Sequence, residues 1–309
     1  MTVMRTILLA AAQNKWLKDQ ATRYWFVKRS VSRFMPGEEL SDALGAAVAL
    51  KSRAIGTVLT HLGENIADRA EAEKVTQHYL EVLNRIRERG LQSEISIKLT
   101  QLGLDLSADF CFENVKRIVE NAPKDSIVWL DMEASNYVDA TLDIYRRALK
   151  VFPNVGICLQ AYLYRTKDDL ERLLPLRPSI RLVKGAYSEP AEIAFPHKYG
   201  VDESYFNLAK EMLRAKKDGR CVRAALGTHD LPLIHKLAAA AAEQGLAKKD
   251  FEVQMLFGIQ RGEQERLTKE GYRSIVLVAY GSYWYPWFVR RLAERPANLW
   301  FMLRNIFAG

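Results

Sequence analysis

Cysteine is scarce in this chain: Cys111, Cys158 and Cys221 are odd in number, far apart and show no C-x-x-C spacing. That argues against a disulfide framework or a thiolate zinc site and fits a reducing cytoplasm. Histidine is also rare, five residues with no H-x-H pair, so the clustered ligands of a metal-dependent barrel hydrolase are not in view. No G-x-G-x-x-G follows a strand-like run, which disfavours a Rossmann-type nicotinamide enzyme. Nowhere do about 18 apolar residues run together, the length a spanning helix requires. Low-complexity linkers and tandem repeats are missing as well, and 309 residues read as one domain with a short extension.

Charge is present in plenty but lacks a block of one sign. Lys and Arg number 45 against 37 Asp and Glu, a formal net charge of +8, and they are scattered along the chain. This reads first as a solvated surface and second as attraction to an anionic membrane, with no nucleic-acid partner. The opening MTVMRTILLAAAQNKWLKDQ has only a short apolar run before it turns charged and amphipathic, so it is read as a helix and not as a signal peptide. The closing NLWFMLRNIFAG suits a terminal helix docked on the domain at least as well as a segment lying on a bilayer. A cytoplasmic protein follows, with peripheral contact at the inner face of the membrane as the second expectation.

What recurs is short, nearly continuous apolar runs: IGTVLTHLGE, EISIKLTQL, SIVWLDMEA, VGICLQAYL, SIRLVKGAY, VRAALGTH, DFEVQMLFG and SIVLVAYG. Strands buried on both faces of a parallel sheet have this character, because helices cover the outside. The gaps carry helical apolar period, as in AEKVTQHYLEVLNRIRERG and NVKRIVENAP, and helix stops follow at Gly90, Pro153 and Pro175. Eight strands alternating with helices predict an α/β fold, a (β/α)8 TIM-type barrel. Residues 1–45 are read as an N-terminal helical arm and 46–309 as the barrel.

A packed barrel interior leaves no room for substrate, so chemistry belongs at the C-terminal ends of the strands. Polar residues appear there repeatedly: Lys98, Asp131, Glu133, Gln160, Arg181, Lys184, Thr228, His229, Asp230 and Gln254. Singly, each has a bland alternative, such as Asp131 capping the next helix. Together they suggest Lys98, Arg181 and Lys184 facing Asp131 and Glu133, with Arg290 and Arg291 arriving from beyond the last strand. The positive excess implies an anionic ligand, either a carboxylate or a phosphate-bearing cofactor. Tyr280, Tyr283, Trp284, Tyr285 and Trp287 just before the arginines predict a walled pocket.

The strings LDMEA, LQAYLYRT, RLVKGAY, GTHD and YGSYWYPWFVRRLAER resemble the motifs of the flavin-dependent proline dehydrogenases, in order, from about residue 40 to 300, and of the monofunctional bacterial type. The last string is highly specific. The resemblance implies a distorted barrel carrying FAD over its C-terminal mouth, with a last helix above it. It implies that Arg290 and Arg291 bind the substrate carboxylate, as Arg does by bidentate pairing, and that Lys98 and Asp131 pair beside the substrate ring. Arg181 is then near the flavin N5, with Met132, Gln160, Lys184, Gly185, Ala186, Thr228 and His229 contacting FAD. Glu294, one turn after Arg290, orients the arginines by an (i, i+4) pair, a role read from spacing alone. Hydride transfer from proline to flavin, with a quinone as final acceptor, is the implied reaction of proline catabolism. Two positions where the family usually has tyrosine hold Leu277 and Trp287. These leave a same-fold flavoenzyme for another cyclic imino acid as the alternative, and a non-catalytic basic barrel as a more distant one.

Overall fold

The computed structural model describes residues 31–63 and 66–294, apart from the side chains of 290–294. The terminal helix expected near residue 10 and the amphipathic tail after 297 lie outside them. Each of the eight apolar runs contains a strand, or all but the first residue of one: β1 (Gly56–His61), β2 (Ser93–Ile97), β3 (Val128–Leu130), β4 (Val155–Gln160), β5 (Ser179–Val183), β6 (Arg223–Gly227), β7 (Glu252–Leu256) and β8 (Arg273–Tyr280). All neighbours pair in parallel and β8 closes onto β1, with Gly56 opposite Ile275 and His61 opposite Tyr280.

The described helices are α1 (Leu40–Lys51), α2 (Arg69–Glu88), α3 (Ala108–Asn121), α4 (Val138–Leu149), α5 (Thr166–Leu173), α6 (Lys198–Lys217), α7 (Leu231–Glu243), α8 (Arg261–Lys269) and α9 (Trp284–Glu294). Their starts follow local chemistry. Asp68 accepts from the backbone N–H of Ala70 at 2.6 Å and of Glu71 at 3.2 Å to cap α2, and Ser107 caps α3 through Phe110. Such caps satisfy donors that the first helical turn leaves unpaired, each worth about 1 kcal/mol.

Residue alternation along the strands sorts two cores. Leu59, Ile95, Ile97, Leu130, Leu182, Leu226, Val276 and Val278 face the helices, while Val58, Ile127, Trp129, Ala225 and Ile275 fill the barrel interior. Burying each Leu or Ile contributes roughly 2 kcal/mol, so a one-residue slip of any strand would exchange these faces and forfeit both cores.

The 45/46 boundary expected from the sequence falls inside α1. This helix packs beside β1 and β8 through Ala43, Leu44, Ala47 and Leu50, covering the flank of the sheet where the barrel closes. The last helix is thereby released for another position. Trp284, Tyr285, Trp287, Phe288 and Val289 of α9 cluster with Leu62, Ala279, Leu277, Val31 and Met35, which sets α9 against the C-terminal rim, as the sequence predicted. Trp284 Nε1 donates to Glu38 Oε1 at 3.0 Å, fastening the segment before α1 to it.

Candidate active site

Asp131 follows β3 and points into the mouth. Its Oδ1 accepts from Ser96 Oγ at 2.7 Å and from Arg181 Nη2, and its Oδ2 accepts from Lys98 Nζ at 3.2 Å. Arg181 Nη2 also donates to Ser96 Oγ at 2.7 Å. Ser96 and Lys98 are two residues apart along β2 and its extension, so the pleat puts both on the inward face. Burial alone would raise the Asp131 carboxyl. The charges of Lys98 and Arg181, with the Ser96 hydroxyl, outweigh it and hold the group below the usual carboxylate range. Burial pulls the Arg181 guanidinium down, yet Asp131 keeps it above its ordinary value. An anion and two cations are therefore fixed side by side at the C-terminal ends of β2, β3 and β5.

Around this centre lie other expected residues. Gln160 is buried at the end of β4, its Nε2 donating to Met132 O at 3.5 Å. The Met132 side chain itself joins the outer core, so only its backbone reaches toward the mouth. Gly185 has φ +119°, and a Cβ there would stand 2.3 Å from the Tyr162 ring, a conformation and an approach open to glycine alone. Ala186 follows it, half-buried. Thr228 N–H donates to Gln254 O at 3.1 Å, and Thr228 Oγ1 accepts from Asp230 N. The Leu256 N–H donates to His229 Nε2 at 3.2 Å, which leaves the ring proton on Nδ1. Leu277 is on the inward face of β8 and Trp287 is buried on the rim-facing side of α9. The backbones of Arg290, Arg291 and Glu294 belong to α9, and their side chains lie outside the described residues.

Three expectations need correction. Lys184 does not face Asp131 or Glu133: its Nζ donates to Asp202 Oδ1 at 2.5 Å and Asp230 Oδ2 at 2.7 Å, because alternation after the inward Arg181 turns Lys184 toward α6 and α7. Glu133 is likewise taken, accepting from the Thr100 N–H at 3.1 Å and hydroxyl at 2.6 Å. The large cationic excess read from the sequence shrinks accordingly among the described residues to Lys98 and Arg181 sharing one carboxylate. Tyr280, expected at the substrate, stands on the outer face of β8, where its hydroxyl meets His78 Nε2 of α2 at 2.8 Å; the inward Leu277 and Ala279 fix that side by period two.

Sequence reasoning missed Ser96, Trp129 and Asp202. Ser96 was within reach, sharing the strand face of Lys98. Asp202 lies in α6 with no local signal, and only the barrel brings it to Lys184.

A family model described as proline dehydrogenase matches residues 43–304. Proline dehydrogenase 1 of Bacillus subtilis subsp. natto is 37% identical over 305 residues, covering 98% of this chain and 99% of that protein. A proline dehydrogenase of Deinococcus radiodurans is 37% identical over 283 residues, 90% of each chain. Among solved structures, proline utilization A from Bdellovibrio bacteriovorus, inactivated by N-propargylglycine, superposes with a TM-score of 0.81 at 21% identity, covering 94% of this chain and 36% of that one. With the closed barrel and its match across nearly the whole of similar-sized relatives, the chain belongs to the proline dehydrogenase family.

Proposed function

We propose that this protein oxidises L-proline to Δ1-pyrroline-5-carboxylate with FAD as its resident cofactor and a quinone as the final electron acceptor. The Asp131 centre carries the reading: a carboxylate held ionised between Lys98 and Arg181 at the mouth of a barrel of this family.

The mouth fits a flavin. Arg181 Nη1, Gln160 Oε1 and Gln254 Oε1 are buried without a hydrogen-bond partner among the described residues, and a buried polar atom left unpaired costs about 1–3 kcal/mol. An isoalloxazine edge, with its alternating acceptors and N–H donor, answers such atoms. Gln160, Arg181, Lys184, Gly185, Ala186, Thr228 and His229 would hold it, with Met132 through its backbone. When bound, FAD supplies the hydride acceptor at N5.

The protein's own groups do the rest. The α9 residues Arg290 and Arg291 take the substrate carboxylate, oriented by Glu294, and Lys98 stands beside the ring. Oxidation removes a hydride from the carbon next to nitrogen and a proton from the nitrogen, leaving a C=N bond, so the ring amine must first be neutral. Asp131 accepts from Ser96, Lys98 and Arg181, and its work is to fix Lys98 and Arg181. Leu277 and Trp287 wall the pocket with apolar surface and exclude water.

Leu277 also supports a second reading, in which another cyclic imino acid is preferred. An absorbance spectrum followed by anaerobic addition of L-proline, trans-4-hydroxy-L-proline and L-pipecolate tests both. Bleaching of the flavin band by proline supports the first; bleaching mainly by another ring supports the second; a protein that binds no FAD refutes both. The quinone role draws on the family resemblance, and peripheral membrane contact on the amphipathic tail. An unchanged quinone reduction rate after removal of residues 298–309 would refute the membrane contact.

A further inference from the structure

At the closed end of the barrel, opposite the mouth, a second ionic cluster is buried. Glu94, Arg223 and Glu252 begin or nearly begin β2, β6 and β7. Arg223 donates to both oxygens of Glu252, at 2.6 and 2.8 Å, and through Nη1 to Glu94. Between this cluster and Asp131 lies Trp129, fully buried in the barrel interior. Its indole N–H donates to Glu94 Oε2 at 2.7 Å. The Arg223 guanidinium carbon is 5.4 Å from the indole ring centroid, and that of Arg181 is 5.2 Å. Room for the indole comes from Gly156, its partner across β3 and β4, where a Cβ would stand 2.6 Å from Trp129 Cε3.

The hydrogen bonds to Arg181 explain only half of its position. Asp131 and Ser96 hold Nη2, and the Cys158 thiol adds a weak sulfur contact, while Nη1 has no partner among the described residues; a guanidinium held firmly at one nitrogen can still swing about it. The electron-rich face of a ring within about 6 Å attracts a cation, more strongly when water is excluded. Trp129 offers that face and is itself locked: a buried indole N–H requires an acceptor, and Glu94, clamped by Arg223, is a fixed one. Phe in its place would keep a ring and lose the lock.

We propose that Trp129, held by Glu94 and Arg223, is a positioning residue that sets the orientation of Arg181 and so aims its Nη1 at the bound flavin. The inference rests on the function proposed above. Its test compares wild type with Trp129→Phe and Gly156→Ala, the second keeping the indole but pushing it from its place. Four quantities are measured: affinity of the apoprotein for FAD, midpoint potential of the bound flavin, kcat and KM for L-proline. The expected result for both variants is FAD affinity and KM within about twofold of wild type, kcat lower by about tenfold, and a midpoint potential shifted to more negative values, because a misaimed cation stabilises negative charge on the flavin less. A variant that folds, with lowered Tm but unchanged kcat and potential, shows Trp129 to be core filler and overturns the proposal. If Trp129→Phe fails to fold, Gly156→Ala decides by the same criterion, and Glu94→Gln decides if both fail. A wild type that binds no FAD, or whose flavin proline does not bleach, overturns the proposed function itself, an outcome read before any variant is made.

Discussion

Replacing Asp131 by Asn tests the centre of the site most directly. The carboxylate is 17% exposed and faces an Arg181 side chain that is 4% exposed and a Lys98 side chain that is 12% exposed. An amide keeps the shape but leaves two adjacent cations without an anion between them. Removing one partner of a buried ion pair costs about 3–5 kcal/mol, and partial access of Asp131 to water puts the expectation at the low end, about 3 kcal/mol. At roughly 2–3 °C per kcal/mol for a chain of this size or somewhat smaller, Tm should fall by about 6–9 °C. The pH dependence carries a sign. The folded-state pKa of Asp131 lies below its usual 3.8, so its contribution is complete above the ordinary carboxylate range and is lost as pH falls through the folded value. The stability gap between wild type and Asp131→Asn, measured by urea unfolding, should stay constant from pH 8 to pH 5 and narrow below about pH 4. The turnover of L-proline should drop at least about a hundredfold, since the amide offers an acceptor to only one of the two cations and a charge to neither. A variant with Tm within about 1 °C of wild type and a flat gap across pH would refute the ion-pair account of this site.

Other perturbations follow from the same geometry. His61 is held neutral, its pKa lowered to about 4 by burial first, then by His78 and Lys98. Because the folded state refuses a proton that the unfolded chain accepts, stability should decline as pH falls from about 6.5 toward 4; His61→Gln should flatten that slope in urea titrations, and an unaltered slope would contradict the assignment. Gly185→Ala should cost about 1–3 kcal/mol through its left-handed backbone and the Tyr162 contact, and the purified protein should carry less FAD; a fully flavinated variant of wild-type Tm would count against the cradle. Lys184→Met leaves Asp202 and Asp230 with only the more exposed Lys198 bridging them. It should raise the FAD concentration needed for half-saturation, with kcat recovering at excess FAD, whereas an unchanged half-saturation would remove Lys184 from the cofactor site.

The apolar runs by themselves determined the eight strands, because strands buried on both faces stay mostly apolar, admitting a polar side chain such as Arg181 or Gln254 only on the inward face, and the turn and cap residues between runs leave little freedom in spacing. They also determined that Lys98, Asp131, Gln160 and Arg181 end near one rim, since parallel strands align their C-terminal ends. The tertiary structure alone decided which of these groups meet. Asp131 finds Arg181 50 residues away and Lys98 33 away, whereas Lys184, only three positions after Arg181, turns to Asp202 and Asp230, and Tyr280 turns its back on the mouth. The reason is the strand's period of two: a single step along the chain reverses the face, and which face is inward depends on closing the barrel in one register. Trp129 shows the same limit, since its bond to Glu94 and its place near two arginines exist only after distant strands have been brought around a common axis.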